Sequence, residues 1–451
     1  MSRPEFLSHG SRTRLFPVLT TTSKEGRATS IFLACFEQIA EMSNSLLTPL
    51  GQKVGPRSTV QCFTEIVFKS KDGTGDRPDG LIILKTGQRE WKALLEAKIG
   101  KAEIDADQVE RYRVLAKAHG IDCVITISNQ FATSPSAHPN AEIRKSRSKI
   151  PVFHWSWMSL LTTSELLING EEIGDQDHRY LINELRRFLA HESTGVTGFE
   201  RMPSEWSELN KLVAAGGKLS PRSEVVSKVL DAWHQETRDL SLILSRQTET
   251  GVREKLSRKH ISDPSQRQKD ETAELCNSNV LKALLEIQGA AAPLEIVADA
   301  ARRAIDVGMS IKAPDDRKSA KARANWLLRQ IKGQPANHLH IRANWPGRVE
   351  ASTFSYCELS QDVGAIEKDN EGRTLLSFHI YYSVKLGGRF AQQTNFISEI
   401  EKIVPDFYKD IGQHLVPWQA KAPKIRESKD SAEEVSTESI SDAAEREIAE
   451  N

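Results

Sequence analysis

Cysteine is scarce in this 451-residue chain: Cys35, Cys62, Cys123, Cys276 and Cys357 are scattered, with no CxxC pair and no Cys/His cluster. That spacing argues against a disulfide scaffold and a structural zinc site, and predicts reduced thiols in a cytoplasmic protein. Long apolar runs are missing as well. None approaches the roughly 18 residues that cross a bilayer, and the opening MSRPEFLSHGSRTRLF lacks the apolar stretch of a secretory signal. A soluble protein with no membrane partner is expected. There is no net charge, because 61 Lys and Arg balance 61 Asp and Glu. Whole-molecule electrostatics therefore give no argument for nucleic acid, although a neutral sum can hide local basic patches. There is no GxxxxGK[ST] phosphate loop, no internal repeat and no Ser-His-Asp arrangement with informative spacing.

The patterning that is present divides the chain. Residues 1–25 read as an irregular arm. Within TSIFLACFEQIAEMSNSLL (29–47), Phe32, Cys35, Phe36, Ile39, Met42 and Leu46 share one helical arc. STVQCFTEIVF reads as a strand, RPDGLIILKTGQREWKALLEAKIG (77–100) as a hairpin, and EIDADQVERYRVLAKAHG as a helix capped by Asp105 and stopped by Gly120. DCVITIS and IPVFHWSW follow as strands and MSLLTTSELL as a helix. The order α-β-β-β-α-β, then β-α, predicts an α/β domain with a mixed sheet over residues 26–172. Beyond it a helical region with a charged linker (252–271) is expected over 173–275, and three short helices over 276–335. A small β-containing module is expected over 336–420, closed by a helix interrupted at Pro405. An acidic tail over 421–451 reads as disordered, with nine carboxylates against three basic residues after Ile425.

The hairpin carries the chemistry. If its turn is centred between Gly87 and Gln88, residues whose numbers sum to 175 face one another, and Asp79 lies opposite Glu96. Directly opposed residues project to one face with Cβ atoms about 5 Å apart, and Lys98, two residues beyond Glu96, returns to that face. A one-residue slip would scatter the three. Two adjacent carboxylates repel unless a cation lies between them. Mg²⁺ (or Mn²⁺) suits oxygen ligands and retains water, and a lysine beside it can stabilise phosphate charge or help position and deprotonate an attacking water. Carboxylate, carboxylate, lysine and metal together point to metal-assisted phosphodiester hydrolysis. The plainer alternative makes Asp79 a turn cap and Glu96 with Lys98 an exposed edge-strand pair, but LLEAKI is apolar for a solvated edge.

Pro78-Asp79, sixteen intervening residues, then Glu96-Ala97-Lys98 resembles the signature of the PD-(D/E)xK, or restriction-endonuclease-like, nucleases. The resemblance covers residues 26 to 160, and the element order is similar to that family's common core. It implies Asp79, Glu96 and the Ala97 carbonyl as metal ligands and Lys98 as the catalytic lysine. A further acidic residue is implied, for which Glu37 and Glu65 compete. Gln108 and Tyr112 in QVERY look like the Gln-x-x-x-Tyr motif of some branches, though a simple pair with each other is the alternative. The resemblance implies a nuclease acting on DNA, with RNA as the second choice. In style it suggests a bacterial restriction or phage-defence effector working as a homo-oligomer or with a defence-system partner. An inactive nuclease fold serving as a scaffold or nucleic-acid binder is the competing reading.

Elsewhere, His154 beside Trp155 reads as a packed histidine, and His338 with His340 lacks a third ligand. SIKAPDDRKSAKARANWLLRQIKG (310–333) is the most basic helix-like stretch. With the two helices expected before it, it could form a helix-turn-helix unit of a DNA-binding regulator in which Lys318, Lys321, Arg323 and Arg329 approach phosphates. A solvated amphipathic helix is the ordinary alternative.

Overall fold

Two β-sheets organise the chain, each with its own apolar core. The computed structural model describes residues 4–16, 24–69, 76–132, 134–335, 337–368 and 370–419. The acidic tail expected beyond residue 420 lies outside the described residues.

The first half runs β1 (Leu7–Arg12), α1 (Lys24–Gln38), α2 (Ala40–Leu47), β2 (Ser58–Phe68), β3 (Gly80–Thr86), β4 (Arg89–Ala97), α3 (Ala106–Ala118), β5 (Cys123–Ser128), α4 (Ala141–Lys145), β6 (Val152–Ser156), α5 (Trp157–Asn169) and α6 (Gln176–Ala190). Its six strands lie in sequence order, antiparallel from β1 to β4 and parallel from β4 to β6, so the mixed sheet expected from the sequence is present. Ile82, Leu84, Ala93 and Leu95 face α1, α2, α5 and α6, while Leu81, Ile83 and Leu94 face Val109, Tyr112 and Ala116 of α3. Both faces are covered, which explains why β3 reads as a continuous apolar run.

Three expectations change here. Residues 1–25 are not simply an irregular arm, because β1 pairs with β2 and α1 begins at Lys24. The helix expected over 29–47 is two helices, separated at Ile39 by extended backbone (φ −98°, ψ 98°). Nor does the half end at 172, since Ile182, Leu185 and Leu189 of α6 belong to the α1–α5 core.

The second half contains α7 (Ser204–Ala214), α8 (Glu224–Thr248), β7 (Val252–Glu254), α9 (Arg258–Ser262), α10 (Pro264–Ser278), β8 (Val280–Ile287), β9 (Leu294–Asp299), β10 (Ala304–Lys312), α11 (Ala320–Gln330), β11 (Leu339–Asn344), β12 (Ser352–Ser355), α12 (Tyr356–Gln361), β13 (Ser377–Lys385) and α13 (Gln393–Asp410). Its seven strands form an antiparallel sheet in the order β12-β11-β13-β10-β9-β8-β7. The sequence misleads most here. The first two of the three helices expected over 276–335 are the strands β8, β9 and β10, so there is no helix-turn-helix unit. Leu and Ala favour helix locally, but β8 and β9 alternate buried and exposed with a period of two, and packing overrides propensity. The separate module expected over 336–420 belongs to the same sheet, since β13 pairs with both β10 and β11. Pro405 lies inside a continuous α13; lacking an N–H, it gives the Glu401 carbonyl no helical donor.

The charged linker expected at 252–271 is also packed structure. Arg267 is buried and bonds Glu254 (3.0 Å) and Glu271 (2.8 Å), fixing α10 to the edge strand β7. The halves meet along α8. Arg246 donates to Thr162 Oγ1 of α5 (2.9 Å), and the Phe131 N–H donates to Gln235 (3.2 Å). Arg267→Ala is expected to cost about 3–5 kcal/mol, since it strands two carboxylates. Urea unfolding measures this; an unchanged midpoint would return the segment to the role of linker.

Candidate active site

The hairpin adopts the register on which the site depends. Thr86 pairs with Arg89 and Gly80 with Leu95, around a turn in which Gly87 takes φ +62°. Asp79 immediately precedes β3 and reaches across the strand end, where the Ala97 N–H donates to its Oδ2 (2.8 Å). Glu96 is buried near the end of β4. Lys98 Nζ donates to Glu96 Oε1 (2.6 Å), and the Tyr112 hydroxyl donates to Glu96 Oε2 (3.0 Å). Gln108 Nε2 in turn donates to the Tyr112 hydroxyl (2.9 Å). Gln108 and Tyr112 thus do pair with each other, and the pair also reaches Glu96. Asp79, Glu96, Ala97, Lys98, Gln108 and Tyr112 form one connected set. Trp157 closes its far side, its indole N–H donating to the Lys98 carbonyl (2.8 Å).

Glu37 and Glu65 separate on geometry. Glu37 turns away from this set, accepting from the Cys62 N–H (2.7 Å) and pairing with Arg12, so it secures β2 and β1. Glu65 has φ 51° where the β1–β2 register slips, and its N–H donates to the Asp79 carbonyl (3.3 Å). It is exposed and shares with Asp79 a cleft of about 560 Å³ that Arg14 and Arg77 also line. The residue missed in the sequence is Glu25, on the first turn of α1, whose carboxylate lies 3.6 Å from Lys98 Nζ. Its signal was present as an acidic residue at a helix start, but the helix was read as beginning later. Gly80 lets α1 sit this close, since a Cβ there would come within 2.8 Å of Leu33 Cδ1.

Burial dominates the electrostatics at Asp79. Burial, and then the charge of Glu96, push Asp79 from 3.8 up to about 7; the Ala97 N–H and Lys98 pull the other way only in part. Burial pushes Lys98 down, but Glu96, Asp79 and Glu25 more than offset it and hold the amine above its ordinary value, so it stays an ammonium. Among the described residues no group of three His, Cys, Asp or Glu side chains is arranged to hold a metal ion. Of the two carboxylates only Asp79 lines the cleft, and Glu96 is buried with both oxygens engaged. Two oxygen donors of this kind are the type Mg²⁺ takes, its other positions being filled by water.

The other candidates do not join this set. Arg323 is buried and donates to the Arg317 carbonyl (2.8 Å) and the Leu375 carbonyl, so it anchors α11 and does not face phosphate. Lys318, Lys321 and Arg329 are exposed on and before α11, whose Lys321 N–H donates to Glu367 (2.9 Å). His154 is buried and satisfied by Thr126 Oγ1 (2.8 Å) and the Gln130 carbonyl (2.9 Å). His340 stacks on Tyr381.

The raised Asp79 value fixes a sign. Between about pH 4 and pH 7 the folded chain keeps a proton that the unfolded chain releases, so stability from this group is full below pH 4 and is lost as pH rises through 7. Asp79→Asn keeps the acceptor for Ala97 and removes the charge. In chelator its stability advantage over wild type is expected to grow from near zero at acid pH to about 1–4 kcal/mol near pH 8. Urea melts across that range measure it, and a flat difference would show an ordinary aspartate. No protein-family profile, no curated protein and no solved structure matches this chain.

Proposed function

We propose that this chain is a divalent-metal-dependent phosphodiesterase: a nuclease with a restriction-endonuclease-like core, acting on DNA in preference to RNA. The observation that carries the reading is the convergence of Asp79 and Glu96 at one hairpin end, with Asp79 accepting from the Ala97 N–H and Lys98 donating to Glu96. Asp79, Glu96 and the Ala97 carbonyl would hold Mg²⁺ or Mn²⁺. The bound ion would supply Lewis acidity at the phosphate and a more acidic water.

The chain's own residues do the rest. Lys98, kept as an ammonium, is suited to stabilising charge on a phosphate oxygen rather than to taking a proton. Tyr112 and Gln108 fix the orientation of Glu96, and Arg14 with Arg77 gives the cleft positive charge for a nucleic-acid backbone. A restriction or phage-defence setting rests on the sequence resemblance alone.

A second reading, a nuclease-like fold that binds without cutting, is favoured by one observation. Both Glu96 oxygens are already engaged, by Lys98 and Tyr112. The test incubates wild type, Asp79→Ala and Lys98→Ala with supercoiled, linear and single-stranded DNA and with RNA, in Mg²⁺, Mn²⁺ or chelator. Metal-dependent cleavage is expected, abolished in Asp79→Ala and slowed about 10²–10³-fold in Lys98→Ala. Equal cleavage by all three would expose a contaminant. Retained DNA binding with no cleavage under any metal would favour the binding reading.

A further inference from the structure

A second concentration of acid lies at the seam between the halves. A cavity of about 470 Å³ is lined by Met158 at the start of α5, Phe199 and Glu200, Asp239, Ile243 and Arg246 of α8, and Ile397 and Glu401 of α13. Asp239 forms part of its buried floor and is 1% exposed. Its Oδ2 accepts from the Phe199 N–H (2.5 Å), but its Oδ1 has no hydrogen-bond partner among the described residues. Glu236, three residues earlier on the same helix, is 0% exposed, and neither of its carboxylate oxygens has a hydrogen-bond partner among the described residues. Glu401 and Asp239 are its charged neighbours.

Buried carboxylate oxygens without donors cost several kcal/mol or stay protonated, so such a group in a cavity wall marks a missing donor. The cations nearby do not supply it. Arg246 is engaged with Thr162 and lies 3.8 Å from Glu165, both on α5. Arg238 hydrogen-bonds to Ser241. Glu200, Asp239 and Glu401 therefore lie near Arg246 and Arg238, while burial holds Glu236 well above the ordinary carboxyl range and so protonated. Burial, with Asp239 adding to it, pushes Glu401 up to about 7, and burial pushes Asp239 up to about 6.

Size and lining choose the ligand. A bare metal ion needs convergent ligands and little space. This cavity is far larger, and Met158, Phe199, Ile243 and Ile397 give it apolar walls. An ammonium group brings three donors on a compact charge, and a methylene chain suits those walls. We infer that the seam cavity is a binding site for a small aliphatic amine, its ammonium between Asp239 and Glu401 and its carbon chain along Phe199, Ile243 and Ile397. This site is separate from the hairpin carboxylates and stands whether or not they cut phosphodiesters.

The experiment uses the full chain in chelator, with putrescine and butylamine as probes in calorimetry and thermal melts. Saturable binding near pH 8 is expected, weakening near pH 5.5 as the two carboxylates take up protons. Asp239→Asn and Glu401→Gln keep shape while removing a buried charge, so both are expected to melt no lower than wild type. Each should bind putrescine about tenfold or more weakly. Three results would overturn the assignment: no saturable binding at millimolar amine, wild-type affinity in both variants, or, with the chelator left out, a Mg²⁺ shift in wild type abolished by the same substitutions.

Discussion

The opposition of Asp79 and Glu96 across one hairpin end is the constraint on which the candidate site rests. Burial first, and the neighbouring Glu96 second, make an ionised Asp79 costly there, and the Ala97 N–H and Lys98 offset only part of that cost. The rest of the half holds that arrangement in place. The two-residue turn at Gly87 sets the register, the two helical layers bury both faces of β3 and β4, and Tyr112 of α3 pins the second oxygen of Glu96. Such a carboxylate pair has a physical reason to bind a cation before any function is invoked.

The same imbalance recurs along α8. That helix carries Glu236 and Asp239 into the protein interior where the two cores approach, and pairs Arg246 with the α5 side. A helix built only to join two cores would carry apolar residues at those positions, since buried ion clusters seldom improve stability over good packing. Polar burial on this scale adds little to holding the halves together.

The first half was legible because its signals are local and mutually consistent. The Gly-X turn fixed the pairing sum of the hairpin, and the pairing observed from Gly80↔Leu95 to Thr86↔Arg89 obeys it. Gln108 and Tyr112 sit one helical turn apart and so reach Glu96 together. What failed was less local. Glu25 precedes the apolar arc of its helix, and the tertiary packing of that helix brings it to Lys98. Glu37 lies on a plausible face but is taken by a backbone N–H and by Arg12, partners that no spacing rule reveals. In VLKALLEI the helix-favouring Leu and Ala conceal a strand whose alternation emerges only beside β7 and β9. Arg267, in a stretch poor in large apolar residues, is buried by ion pairing, which composition cannot show.

Trp157 and Met158 are consecutive residues at the start of α5, and they look in different directions. The indole of Trp157 holds the carbonyl of Lys98, while Met158 forms a wall of the seam cavity. The first turn of α5 thus places a contact to the hairpin lysine and a wall of the seam cavity on adjacent residues.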